Sequence, residues 1–228
     1  MGVTVWIIYT ADHLMDALTI KKEASTERHR FHQRHFKILV VCLSIAVVID
    51  LTLLFFIRAK ILHAGFILAA IVILYLLINR WLGFVKEFVI ALVYCGGVLL
   101  PALSLKACSV SVPEIVLIIS FLLTALSNLI IFSRYDVQAD TLDGYSSFAL
   151  RFGYQATQGV LSLLFLVQAM IISLLFLAHL WSYGCLFLIM NSVLFLLFLK
   201  PSYFTRNDTY RLYGDSVFLF PAVFMLFG

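Results

Sequence analysis

Eight aspartates are spread unevenly over this 228-residue chain, and five of them fall in two short clusters. The first is Tyr9-Thr-Ala-Asp-His-Leu-Met-Asp16, with Asp12 and Asp16 four residues apart. The second is Asp136-Val-Gln-Ala-Asp-Thr-Leu-Asp143, carrying Asp136, Asp140 and Asp143. A spacing of four sets side chains one above the other on a helix, so Asp12 stands with Asp16, and helical geometry aligns Asp136 with Asp140. Like charges so placed repel and destabilise the helix, and a divalent cation offsets that cost. Mg2+ is the obvious ion: it takes hard oxygen ligands, keeps several waters, and is held by one or two carboxylates together with the oxygens of a bound phosphate. Two facing carboxylate pairs would form a clamp for a metal diphosphate, in which the metal stabilises a departing pyrophosphate. Either pair alone also reads as a solvated helix cap or as a partner for loop lysines and arginines.

The elements that must position these carboxylates are membrane helices. The composition is 63% hydrophobic and 12% charged, with a mean hydropathy of +1.06, which places the chain outside ordinary soluble domains. Runs of about 20 apolar residues, enough to cross roughly 30 Å of hydrocarbon, recur along nearly the whole length. The pattern predicts spans at Val3 to Ile20, Phe36 to Ile57, Leu62 to Ile78, Phe88 to Leu103, Pro113 to Phe132, Thr157 to Leu177, Trp181 to Leu199 and Tyr213 to Phe227. The last is interrupted by Pro221. The expected fold is therefore all-α, a polytopic transmembrane bundle of about eight spans, in a single domain over residues 1–228.

Basic residues then orient the bundle. Lys21, Lys22, Arg28, Arg30, Arg34, Lys37, Arg80, Lys86, Arg134, Arg151, Lys200, Arg206 and Arg211 all fall on one side of the predicted membrane, and only Arg58, Lys60 and Lys106 on the other. That asymmetry marks the first side as cytoplasmic and puts both aspartate clusters there. It implies an integral, multi-pass protein, here read as residing in a prokaryotic inner or plasma membrane, in contact with membrane lipid and with no nucleic-acid partner. It also sends the first helix inward from the outer face with nothing before it, so one N-terminal helix is expected upstream of Met1.

The second cluster and its continuation, Asp136-Val-Gln-Ala-Asp-Thr-Leu-Asp-Gly-Tyr-Ser-Ser-Phe-Ala-Leu-Arg-Phe-Gly153, resembles the second motif of the UbiA superfamily of intramembrane prenyltransferases. Asp136, Asp140, Gly144, Arg151 and Gly153 match that motif in register. Asp12 and Asp16 resemble the last two aspartates of the family's first motif, whose earlier Asn and Asp are replaced here by Ile8 and Tyr9. The motifs lie on the first and fifth predicted spans, which is the family's nine-helix layout without its opening helix. The resemblance implies a UbiA-like fold and an Mg2+-dependent enzyme. Such an enzyme moves an isoprenyl group from an isoprenyl diphosphate to a lipophilic acceptor, aromatic ones included, and releases pyrophosphate. It assigns Asp12, Asp16, Asp136 and Asp140 as metal-binding catalytic residues, and Lys86 and Arg151 as diphosphate ligands. Lys86 also reads as an interface anchor, and Arg151 as structural.

Other polar residues carry blander readings. Asp50 lies about 14 residues into the second span, roughly 21 Å along it, and needs a partner at that depth. The run His29-Arg-Phe-His-Gln-Arg-His35 places three imidazoles three apart, a spacing that suggests a metal site, but it reads more readily as a basic juxtamembrane loop facing anionic headgroups. His13 neighbours the first aspartates. Tyr9, Tyr94, Tyr135 and Tyr145 lie near motif ends, where π-faces can shield a carbocation or simply pack. Cys42, Cys95, Cys108 and Cys185 show no C-x-x-C pairing and read as small membrane residues. Two other function classes stand beside prenyl transfer: a secondary transporter using its carboxylates for cations or protons, and a catalytically inactive homologue that binds isoprenyl diphosphate.

Overall fold

The computed structural model describes residues 2–19, 23–24, 26–106, 109–205 and 208–222, without the side chain of Arg80. Lys21, Lys22, Cys108, Arg206 and the end of the eighth expected span lie outside the described residues. Among the described residues there are helices and turns and no strand. The helices are α1 (Gly2–Thr19), α2 (Glu27–Arg34), α3 (Phe36–Leu53), α4 (Ala59–Leu82), α5 (Lys86–Leu105) and α6 (Val112–Tyr135). They continue with α7 (Val137–Asp143), α8 (Phe148–Leu177), α9 (Trp181–Leu199), α10 (Pro201–Phe204) and α11 (Thr209–Ser216).

Six segments among the described residues are long and apolar enough to cross a membrane: Phe36–Phe56, Ala59–Asn79, Gly83–Leu105, Val112–Tyr135, Phe148–Leu177 and Trp181–Leu199. They correspond to the second to seventh expected spans. In hydrocarbon a backbone must satisfy its own N–H and C=O groups, so an unbroken helix is the available conformation even for the Val- and Ile-rich α3. The other two expected spans have a different character. The 18-residue α1 carries Asp12, His13 and Asp16 in its second half, and the C-terminal stretch begins as the short α11 followed by a 3-10 turn over Val217–Leu219.

The chain divides into two compact units, each discontinuous in sequence. The first comprises Met1–Trp81, Gly96–Ala107 and Ala139–Tyr145. In it α1 packs on α2 and α3. α3 has no buried residue, as expected for a helix whose apolar surface faces lipid rather than protein. The Asp50 carboxylate on α3 accepts from the Thr4 hydroxyl on α1 at 3.0 and 3.1 Å. The deep carboxylate is thus held by a structural hydrogen bond between helices, the kind of polar contact that joins membrane helices.

The second unit comprises Leu82–Cys95, Cys108–Gln138 and Ser146–Gly228, and is centred on α6, which packs on α8 and α9. Buried residues make up 56% of the most apolar part of α6, whereas α3 has none, so α6 is the core helix. Ile130, Ile131, Leu161, Met190, Leu194 and Leu197 are fully buried there. Polar side chains lock the three helices together: Thr124 Oγ1 donates to Gln168 Oε1 (2.8 Å), Gln168 Nε2 donates to Ser127 Oγ (3.1 Å), and Asn191 Nδ2 donates to the Phe187 carbonyl (2.9 Å) and lies 3.4 Å from Thr124 Oγ1.

Helix ends in both units are set by local chemistry. Ser111 starts α6, its backbone N–H and hydroxyl both donating to the Glu114 carboxylate at 2.7 Å. Glu87, only 3% exposed, accepts from the Phe148 N–H (2.9 Å) at the first turn of α8. A carboxylate there satisfies an orphan donor and complements the helix dipole. Gly144 (φ 77°) ends α7, with the Tyr145 N–H reaching back to the Asp140 carbonyl (2.8 Å), and Gly153 (φ 78°) interrupts α8. Both glycines of the second motif therefore occupy backbone conformations that disfavour a Cβ.

Candidate functional site

In the first unit, three segments bring polar groups to the C-terminal half of α1. α1 itself supplies Asp12, His13 and Asp16, whose ligand atoms all lie within 4.8 Å of one another. Asp12 Oδ1 accepts from Asn79 Nδ2 on α4 (3.1 Å), and its Oδ2 lies 3.9 Å from His13 Nδ1. α2 supplies His29 and His32. Thr26 caps α2 by accepting from the His29 N–H (3.3 Å), and Glu27 lies in the first turn, both of which favour a helix start there. On the resulting helix, residues 29 and 32 share one face, and both are 7% exposed, buried against His13 at ring-centroid separations of 5.5 and 4.9 Å.

α7 supplies Asp143. The His29 ring lies between the two aspartate clusters: its Nε2 is 3.8 Å from Asp16 Oδ2, and its Nδ1 is 3.5 Å from Asp143 Oδ2. The Asp143 side chain is 1% exposed and that of Asp16 18%. Tyr9 stacks obliquely on His13 at 4.1 Å, and the Tyr145 ring lies 6.1 Å from His29. Carboxylates gathered at such burial require compensating positive charge, from a proton on an imidazole or from a bound cation. The expectation of a headgroup-facing loop over residues 29–35 is overturned for His29 and His32. A capped helix turns these two side chains inward and leaves Phe31 outside, 51% exposed.

Asp136 has a different setting, wholly within the second unit. α6 ends at Tyr135, and Asp136 is its C-cap (φ −86°, ψ 0°). The chain therefore breaks between Asp136 and α7, and the two aspartates are not aligned by one continuous helix as expected. One Asp136 oxygen accepts from the Tyr210 phenol, and the other pairs with the Arg211 guanidinium. The Arg211 side chain is 23% exposed and that of Asp136 15%. The guanidinium also lies 5.3 Å from the centroids of both Phe132 and Tyr210, and Tyr210 stacks nearly parallel on Tyr135 at 4.3 Å.

Burial lowers the affinity of Arg211 for its proton, but the charges of Asp136 and Tyr210 and the hydrogen bonds to them together raise it by more, so the guanidinium is held above its ordinary range. Burial pushes the Tyr210 phenol up; Arg211 opposes this and Asp136 adds to it. Arg134 and Tyr135 tie the same end of α6 to α9, donating to the carbonyls of Phe198 (3.0 Å) and Leu197 (2.7 Å).

Of the residues singled out from sequence, Asp12, Asp16 and Asp140 belong to the first unit, whereas Asp136, Lys86 and Arg151 belong to the second. Lys86 is half-buried at the start of α5, and Arg151 is exposed in the first turn of α8. Sequence reasoning weighed a metal site at His29 and His32 only to prefer a loop, counted Asp143 in its cluster without assigning it to the metal, and gave no role to Asn79, Tyr210 or Arg211. For His29 and His32 a signal existed: Thr26, three residues before His29, is an N-cap residue, and imidazoles three apart share a helix face. For Arg211, 75 residues from Asp136, no local signal exists. The chain matches no family model, no curated protein and no solved structure.

Proposed function

We propose that this chain is a divalent-cation-dependent intramembrane prenyltransferase. It moves an isoprenyl group from its diphosphate to a lipophilic acceptor, aromatic ones included, and releases pyrophosphate. The observation that carries this reading is the approach of one residue from each aspartate cluster in the first unit: Asp16 of one and Asp143 of the other stand against opposite nitrogens of one imidazole. The fold implied is a UbiA-like bundle in which α1 and the C-terminal segment complete about eight spans. The basic residues orient both clusters to the cytoplasmic face of a prokaryotic inner or plasma membrane.

The donor set suits a divalent cation. Asp12 and Asp16 offer carboxylate oxygens from one helix face, and Asn79 steadies one of them. Bound there, Mg2+ would neutralise the charge of the departing pyrophosphate. The family resemblance assigns Asp140, on α7 in the same unit, to the metal as well. The family resemblance assigns Lys86 and Arg151, which lie in the second unit, as cationic ligands of diphosphate oxygens. Electrostatic stabilisation of the leaving group is then the main catalytic contribution of the side chains.

Asp136 enters through its pair with Arg211. The family resemblance makes Asp136 a metal ligand, and in this structure its carboxylate is neutralised by the guanidinium. The same pair favours a second reading, an isoprenyl-diphosphate-binding homologue without turnover, because both Asp136 oxygens are engaged and Ile8 and Tyr9 replace two residues of the first motif.

The test incubates membranes containing the full chain with labelled isoprenyl diphosphates, Mg2+ and a panel of lipophilic acceptors. Transfer predicts pyrophosphate release that falls at least 100-fold in Asp16→Asn and Asp140→Asn. Diphosphate binding without release supports the binding homologue, and absence of both sinks the proposal.

A further inference from the structure

The turn between α3 and α4 holds a feature that the proposed reaction does not use. Val48, Leu51, Leu54 and Phe55 at the end of α3, with Leu62 and Phe66 on α4, line an open groove of about 420 Å³. That volume is within the roughly 300–1,000 Å³ of small-molecule sites. We propose that the groove holds one acyl chain of an anionic phospholipid whose phosphate is bound by Arg58 and Lys60. The inference stands apart from the prenyltransferase reading and does not depend on it.

The lining selects a hydrocarbon. Thr52 is its one residue with a polar side chain, and that hydroxyl donates to the Ile49 carbonyl of its own helix (2.7 Å). The groove therefore offers no hydrogen bond to an occupant. Its walls reach outward, with Phe55 89% exposed. A membrane helix docking here would need small residues at the contact so that backbones approach. Branched and aromatic walls instead leave a channel that a flexible alkyl chain can follow.

The cations stand at the mouth. Phe36–Phe56 and Ala59–Asn79 are consecutive membrane-crossing segments, so Arg58 lies in the short turn between them and Lys60 in the first turn of α4, at the level of the headgroups. Arg58 follows Phe55 by three residues and Lys60 precedes Leu62 by two, so both border the groove wall. Both are exposed, and among the described residues neither pairs with a carboxylate. No acidic residue occupies the first turn of α4, where the helix dipole adds to the positive potential. A guanidinium meets a phosphate with two parallel donors, and an ammonium adds a point charge. A headgroup of net negative charge neutralises this pair, whereas a zwitterionic headgroup brings a cation of its own into the same field.

The groove is also remote from the aspartates. Asp16 of α1 faces His29 of α2, which leads into α3 at His35. From there to Leu51 is about 16 residues, or roughly 24 Å along the helix. The ligand here is thus a membrane lipid at a second site, distinct from a diphosphate held by the aspartates.

The experiment reconstitutes the full chain in phosphatidylcholine nanodiscs with a trace of phosphatidylglycerol carrying a diazirine on one acyl chain, and maps the photo-adducts by peptide mass spectrometry. We expect adducts concentrated between Val48 and Phe66. The same diazirine on phosphatidylcholine should label that segment no more than Ile38 and Val41, exposed residues at the other end of α3. The double variant Arg58→Gln, Lys60→Gln should cut labelling of the segment by the anionic probe roughly tenfold, as expected for two cations removed from an anionic headgroup. Leu51→Trp, which fills the groove, should remove the adducts with both cations in place. Unchanged labelling at Ile38 and Val41 shows that the helices of each variant remain in the bilayer.

Equal labelling of the segment by the two probes, or labelling there no greater than at Ile38 and Val41, overturns the inference with the unaltered protein alone. An anionic preference that survives the double variant overturns the role of Arg58 and Lys60. Adducts that survive Leu51→Trp overturn the seating of the chain in the groove. Pyrophosphate release is read separately, and its absence leaves the lipid site standing.

Discussion

The Asp136–Arg211 pair permits a quantitative test of what the second cluster's first aspartate does. Removing one partner of a buried pair leaves an uncompensated charge, which costs about 3–5 kcal/mol, whereas replacing both by apolar groups of similar volume is often neutral. Here the two side chains are 15% and 23% exposed, so solvent screens them only partly and the lower end of that range applies. Arg211→Met should therefore cost about 3 kcal/mol, because the Asp136 carboxylate keeps only the Tyr210 phenol.

Asp136→Asn should cost less, about 2 kcal/mol. Its amide oxygen still accepts from Tyr210, and the guanidinium retains the Phe132 and Tyr210 rings, a contact of about 0.5–2 kcal/mol. In the double variant Asp136→Leu, Arg211→Met only the Tyr210 hydroxyl is stranded, at about 1 kcal/mol. Unfolding in mild detergent by titration with a denaturing detergent, read by far-UV ellipticity, gives the three values, with Asp136→Leu completing the cycle. With Asp136→Leu costing at least as much as Asp136→Asn, a coupling of about 4 kcal/mol or more is expected. Single variants within about 0.5 kcal/mol of wild type, or costs that simply add, would refute the assignment of Asp136 as the counter-ion that docks α11.

Three further outcomes test neighbouring contacts. Gly214→Ala would set a Cβ 2.6 Å from the Phe132 ring and against Asn128 Oδ1; overpacking of this kind costs about 1–3 kcal/mol, and a neutral result in the same unfolding assay would count against the packing of α11 on α6. Glu87→Ala removes the acceptor at the start of α8 and should lose about 1–2 kcal/mol, with Glu87→Gln recovering much of it; equal losses would mean that charge and not the hydrogen bond matters. Because Tyr210 holds its proton more tightly when folded, its stabilising contribution is complete below the ordinary tyrosine pKa of about 10 and declines as pH rises past it. Stability measured from pH 8 to 11 should therefore fall more steeply in wild type than in Tyr210→Phe, and parallel curves would contradict the burial of the phenol.

The two carboxylate settings explain how similar sequence patterns diverge. Asp12 and Asp16 sit on an unbroken helix, so a spacing of four brings them together as expected. Asp136 and Asp140 have the same spacing, but α6 ends between them, and the first joins a cation from α11 while the second belongs to α7. Helical periodicity is informative only while the helix lasts, and the break at Asp136 has no glycine or proline to announce it.

Six membrane helices were legible in the sequence because crossing a bilayer is a local requirement: about 20 apolar residues in a row, whatever lies beside them. The terminators Gly144 and Gly153 were visible as motif residues, and their positive φ values supply the physical reason for glycine. Asp50 could be marked as needing a partner by its depth alone, although Thr4 as that partner could not. Only the tertiary structure decided that His29 and His32 turn inward to His13, since a short helix as polar as α2 is stabilised by what it packs on and carries no apolar stripe to reveal its buried face. The same holds for Arg211, because a charged pair forms wherever packing brings opposite charges together and excludes water, and sequence separation leaves no trace of that choice.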